Sequence, residues 1–191
     1  MTLTARAFGQ MTLPKQVAIA IAGSALIAIA AKIQVPMFPV PMTLQVLTVL
    51  FVGLAFGARL GAATVALYLA EGLAGLPVFT TTTPPGPAAF AGPTAGFLVG
   101  FVPMAFVAGL AAGCGWLAMI AACVAATAVL YVFGMAWPLG LATVFGIQAG
   151  WAALAPAAAF GAFMVPFLIG DAVKIALAVL LAAGGRALLR R

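Results

Sequence analysis

The sequence predicts an all-α integral membrane protein of six transmembrane helices, with both termini cytoplasmic. Three observations carry this prediction. Of the 191 residues, 66% are apolar and only 5% are charged, whereas a soluble domain carries about a quarter charged residues. The apolar residues fall into runs close to the roughly 20 residues that cross a bilayer as helix. The basic residues cluster between runs and at the ends, as the positive-inside rule places them.

Taken in order, the spans are 17–32, 42–57, 60–76, 93–112, 116–136 and 163–183, forming one membrane domain over 1–191. The first span follows Lys15 and contains Ala28-Ile29-Ala30, a pattern also seen in cleaved signal peptides. It is expected to be retained, because the run is alanine-rich and is followed by further spans that need a partner. The second and third spans are short. Only Ala58 and Arg59 separate them, so they form a tight hairpin.

The stretch 137–162 is apolar but broken by Pro138, Gly140, Gly146, Gly150, Pro156 and Gly161. As a seventh span it would put Arg186, Arg190 and Arg191 outside. With six spans those residues join Arg6, Lys15 and Arg59 on the cytoplasmic side, so 137–162 is read as an outer segment with a short interfacial helix near 149–159. The inner connections are then short and the outer ones long, and long loops in compact proteins are commonly functional. The outer loop 79–87, FTTTTPPGP, is polar, uncharged and rich in turn residues, which suits a lid.

The net charge of +6 does not point to nucleic acid, since the basic residues form no continuous stripe. With no histidine and two cysteines, Cys114 and Cys123, no Ser–His or Cys–His catalytic site is available and no zinc motif can form. No catalytic residue, metal site or cofactor is expected. There is no Gly-x-x-x-x-Gly-Lys-Ser/Thr, so energy for uphill transport would come from a partner.

Charge inside a span is costly and faces the bundle interior. Asp171 and Lys174, at i, i+3 spacing, share one face of the last helix. They lie roughly 8 and 12 Å below its start at Pro166. Two uses fit them: a structural ion pair, or the polar end of an apolar pocket for a ligand with a cyclic urea or amide. Glu71 and Lys32 are better read as structural or boundary charges. Gln45, Thr43 and Tyr68 are other polar residues within reach of such a pocket, and Thr94 opens the fourth span, whose free amides would seat a carboxylate. Small residues recur every four positions in the first span (Ala18, Ala22; Ala20, Ser24, Ala28) and in the third (Ala62, Ala66, Ala70). Such ridges let helices approach closely, within the chain, with another protein or by self-association.

The segments PMFPVPMTLQ (36–45), GLPVF (75–79), GPTAGFLVGF (92–101) and PFLIGDAVK (166–174) resemble, in order and spacing, the signatures of BioY, the biotin-specific S component of energy-coupling-factor (ECF) transporters. The resemblance covers about 15–185. It implies the six-helix S-component fold, capture of biotin from outside, and coupling to an ECF transmembrane subunit and two ATPase subunits in a bacterial-type cytoplasmic membrane. It also implies a docking face formed by Ala18, Ala22, Ser24 and Ala28. By position, Asp171 and Lys174 look like ligands of the biotin head, with Asp171 on the ureido N–H groups and Lys174 on the ureido oxygen or the valerate carboxylate. The ligand-binding set is then Asp171, Lys174, Gln45, Thr43, Tyr68, Phe79 and Thr94. This chain departs from the family in Thr80, Thr81, Thr82 and Thr83, where glycines are frequent. It departs again at Ala95 and Phe97, where Gly and Tyr are commoner, and at Glu71, where the family is usually apolar. The alternative from the residues alone is a stand-alone carrier of a small vitamin driven by protons or sodium.

Overall fold

The structure, a computed structural model, describes residues 2–189. Arg190 and Arg191 lie outside the described residues. The bundle is built from α2 (Leu13–Lys32), α3 (Gln45–Phe56), α4 (Ala58–Leu73), α5 (Ala95–Leu110), α6 (Trp116–Ala136) and α9 (Leu168–Leu188). Smaller elements attend it, among them α1 (Leu3–Phe8), the two-stranded antiparallel ladder β1 (Gln34–Val35) and β2 (Met42–Thr43), α7 (Ala142–Val144) and α8 (Pro156–Phe163). This is an all-α, multi-pass membrane fold. Its outer surface is apolar: Ile169, Val132 and Leu180 are 83%, 67% and 66% exposed, which in water would be a large unpartnered patch and in lipid is the expected surface.

The helices differ in length, and the difference makes the site. At 1.5 Å per residue, α2, α6 and α9, with 20 or 21 residues each, span about 30 Å, the hydrocarbon thickness. The 12 residues of α3 cover only about 18 Å, and the 16 of α4 and α5 about 24 Å. The outer part of the bundle is therefore completed by loops, tolerated at membrane depth where they are buried in protein or line a cavity. At the other end the bundle closes tightly. A side chain on Gly53 of α3 would come within 2.5 Å of the Ala105 carbonyl of α5, so only glycine lets these helices meet there.

Several predicted boundaries move. The second span starts at Gln45, not 42, because Met42 and Thr43 pair with Val35 and Gln34 in the ladder. Between the strands the chain turns back through bends at 38–40, and Pro36, Pro39 and Pro41 keep this stretch out of helix. The third starts at Ala58, directly after the corner at Gly57 (φ +86°), and ends at Leu73. The last helix starts at Leu168 rather than 163, since Phe163 closes α8 and a 3₁₀ turn at Val165–Phe167 carries Pro166. The helix expected near 149–159 is α8, at Pro156–Phe163. No helix is predicted before residue 17, yet α2 begins at Leu13 and α1 precedes it. The Thr4 hydroxyl of α1 donates to the Ala55 carbonyl at the end of α3, and Leu3 lies beside Gly185 of α9. Thus α1 seals the base of the bundle, where α3 and α9 end. Arg186 lies at the same end, donating to the Cys114 carbonyl at the α5–α6 corner.

The small-residue positions of α2 divide. Ala18 and Ala22 are exposed, whereas Ala28 is half-buried against the core. Ser24 is buried and bonds the Glu71 carboxylate of α4 at 2.8 and 2.9 Å. It ties α2 to α4 and does not belong to the exposed face. The uninterrupted exposed stripe is Ala18, Ala22 and Ala25.

Candidate functional site

A cavity of about 590 Å³, its mouth included, opens where the outer ends of α3, α5, α6 and α9 converge. Phe97, Leu98 and Phe101 of α5, Leu130 of α6, and Phe163 and Phe167 before α9 supply apolar walls. The GPTAGF segment enters α5 with Gly96 packed against the Phe133 carbonyl of α6. Trp137 Nε1–H donates to the Gly92 carbonyl at 3.0 Å, fixing this entry against α6.

The polar wall is a buried cluster. Asp171 and Lys174 are 4% and 6% exposed. Lys174 Nζ donates to Asp171 Oδ1 at 2.9 Å, in the only ion pair among the described residues. The Tyr131 hydroxyl of α6 donates to Asp171 Oδ2 at 2.6 Å. The carboxylate is thus gripped at both oxygens. Each oxygen accepts up to two hydrogen bonds, so each keeps capacity for a ligand N–H. Lys174 likewise keeps two of its three donors. Tyr131 is steered by an edge-on contact with Phe97, centroids 6.4 Å apart at 85°.

A second polar group lies on α3. Thr43 Oγ1 donates to Gln45 Oε1 at 3.0 Å, and Gln45 Nε2 donates to the Tyr68 hydroxyl at 2.8 Å. Thr43 and Gln45 line the cavity, as does Thr94 at the mouth of α5. Tyr68 does not. It is fully buried behind Gln45, where it donates to the Val78 carbonyl at 3.3 Å. Phe79 does not line this cavity either. Its ring packs edge-on between Tyr68 and Phe90, against Gly72. Both expected ligand residues are instead supports: Tyr68 orients Gln45, and Phe79 anchors the start of the outer loop.

Five of the seven expected ligand residues therefore meet at one cavity. The prediction omits Tyr131, the aromatic wall and the hydroxyls of Thr80 and Thr83, which line the mouth. Tyr131 carried one signal: a hydroxyl within an apolar span needs a partner in the bundle. That partner lies 40 positions away, beyond any spacing rule. Phe163 and Phe167 reach the cavity only because the chain breaks between α8 and α9.

Residues 4–191 match the model of the BioY family. The chain is 34% identical over 168 residues to the probable biotin transporter BioY of Pyrococcus horikoshii, covering 88% of this chain and 94% of that protein. It is 35% identical over 163 residues to the biotin transporter BioY of Thermotoga maritima, covering 83% and 88%. A crystal structure of the S-component for biotin from an ECF-type ABC transporter is 23% identical and superposes with a TM-score of 0.71, covering 95% of this chain and 96% of that one. The shared fold, the match over nearly the whole length and these relatives agree: the chain belongs to the BioY family.

Proposed function

We propose that this protein is the biotin-binding component of an ECF-type importer in the cytoplasmic membrane. The observation that carries the proposal is the buried Asp171–Lys174–Tyr131 cluster on one wall of a cavity whose opposite side is aromatic and aliphatic. A cyclic urea presents two N–H donors and one carbonyl acceptor. Asp171, pre-oriented by two donors, accepts from the N–H groups, and the remaining Lys174 donors meet the carbonyl oxygen. In a low-dielectric site these bonds are strong, and an unmatched ligand leaves them unpaired. Phe97, Phe101, Leu130 and Phe163 receive the apolar body.

The chain carries no nucleotide-binding motif. Uptake then depends on an ECF transmembrane subunit and two ATPase subunits, with the exposed Ala18–Ala22 face of α2 as the docking surface. A stand-alone ion-coupled carrier would lose uptake on addition of an uncoupler; an ATPase-coupled component keeps it and needs its partners.

The test is binding of radiolabelled biotin to the purified protein in detergent, with dethiobiotin and an unrelated vitamin as competitors. Saturable binding displaced by dethiobiotin alone is expected. Asp171→Asn should fold and bind at least about tenfold more weakly, as loss of charge-assisted hydrogen bonds implies. Unchanged affinity in Asp171→Asn would refute the assignment.

A further inference from the structure

Beyond the main cavity, a second one of about 400 Å³, its mouth included, lies under the outer loop. Lys32, Phe79, Thr80, Thr81 and Thr83 line it. Thr80 and Thr83 also line the main cavity, so the two compartments share one wall of hydroxyl groups. Lys32, the last residue of α2, reaches over this wall, and its ammonium donates to the Phe79 carbonyl. That contact uses one of three donors. No carboxylate pairs with it: Glu71 is bound by Ser24, and Asp171 by Lys174 and Tyr131. Lys32 is therefore a positioned cation of the second cavity, held by a neutral carbonyl and sharing that cavity with the Thr80, Thr81 and Thr83 hydroxyls.

Resting on the biotin assignment above, we infer that Lys32, with Thr80 and Thr83, forms a subsite for the carboxylate at the ligand's tail, and so selects the free acid over neutral derivatives. A ligand whose urea head sits at Asp171 and whose chain runs along the aromatic wall carries its carboxylate toward the mouth. Thr80 and Thr83 are the hydroxyls at that mouth, and Lys32 is the charge beyond them. Thr80, Thr82 and Thr83 already exchange hydrogen bonds at 2.7 and 3.1 Å, so the wall is ordered rather than a set of free side chains. Gln34 Nε2 further pins Thr81 at 2.6 Å. The arrangement leaves Lys174 for the urea oxygen, because a second cation serves the tail. The free amides at the start of α5 offer donors for a carboxylate but no charge.

The experiment compares biotin with biotin amide, which keeps the head and chain and lacks the charge, on wild type, Lys32→Met and Lys32→Arg. Wild type should bind the acid about tenfold to a hundredfold more tightly than the amide, the range of a charge-assisted hydrogen bond. Lys32→Met should lose that preference through weaker binding of the acid, with the amide unchanged, and Lys32→Arg should keep it. Equal weakening of both ligands in Lys32→Met would mean that Lys32 only anchors the loop, and overturns the subsite. Retention of the full preference in Lys32→Met overturns it too, and moves the carboxylate to the start of α5. Wild type binding neither ligand overturns the biotin assignment itself, an outcome distinct from the other two.

Discussion

Asp171 is held between groups of different kinds, and their removal should separate binding from stability. Tyr131→Phe keeps the ring against Phe97 and deletes only the hydroxyl on Asp171. Biotin affinity should fall about tenfold, the scale of one hydrogen bond to a charge, and thermal stability should fall by less than in Lys174→Ala, since the ion pair remains. An unchanged dissociation constant in an equilibrium binding assay would show that Tyr131 does not tune the site. Lys174→Ala is a different perturbation. It strands a buried carboxylate, which costs about 3–5 kcal/mol. Asp171→Leu combined with Lys174→Met removes both charges and should recover most of that stability, while binding stays lost. Thermal unfolding in detergent would decide: a double variant as unstable as Lys174→Ala would contradict the pairing. The two charges were legible in the sequence because charge in a span stands out against its apolar neighbours. Tyr131 was not, since its partner is brought to it only by the packing of α6 against α9. Tyr68 and Phe79 were expected to line the cavity and lie behind it for the same reason, as polarity and motif position do not say which side of Gln45 a residue occupies.

At the scale of elements, hydropathy located every long helix but not where each ends. An apolar run such as 42–57 reads the same whether its first residues are helical or paired in a ladder, and here Met42 and Thr43 are in β2. The difference matters because the late start of α3 opens the cavity that Thr43, Gln45 and Val46 line. Glycine sets the close approaches at the cytoplasmic end. Gly53→Leu must push α3 from α5, since even a Cβ would sit 2.5 Å from the Ala105 carbonyl and 3.1 Å from the Ala108 side chain. Overpacking of this kind costs about 1–3 kcal/mol or more, so the melting temperature should drop clearly. Gly184 in α9 has nothing within 4 Å of the same position. Gly184→Ala should leave the melting temperature unchanged or raise it, as alanine is the better helix former. Equal effects at the two positions would refute the packing explanation.

Across the whole molecule, charge and side-chain size divide the surface into working regions. The cytoplasmic end carries Arg6, Lys15, Arg59 and Arg186, while both acidic residues of the chain lie among outer-half groups. By the positive-inside rule that asymmetry predicts a cytoplasmic base and an outward-facing cavity. The remaining surface is mostly large and apolar, as lipid contact requires. The exposed stripe of α2 is small, since Ala18, Ala22 and Ala25 present almost no side chain, and α4 (Ala63, Ala66, Ala70) and α6 (Ala118, Ala121, Ala125, Ala128) also expose alanines. Lipid does not need small residues, whereas another helix approaching closely does. Ala22→Trp should therefore leave biotin binding in detergent at the wild-type level, because the cavity lies between other helices. It should abolish uptake in cells that express the ECF transmembrane and ATPase subunits. Leu180→Trp, at a large apolar position of α9 that is 66% exposed, adds bulk to a lipid-facing surface and should keep both activities. Normal uptake by Ala22→Trp would remove α2 as the docking face. Loss of uptake in both variants would point to a general effect of bulk on the membrane surface, and would equally defeat the assignment to α2.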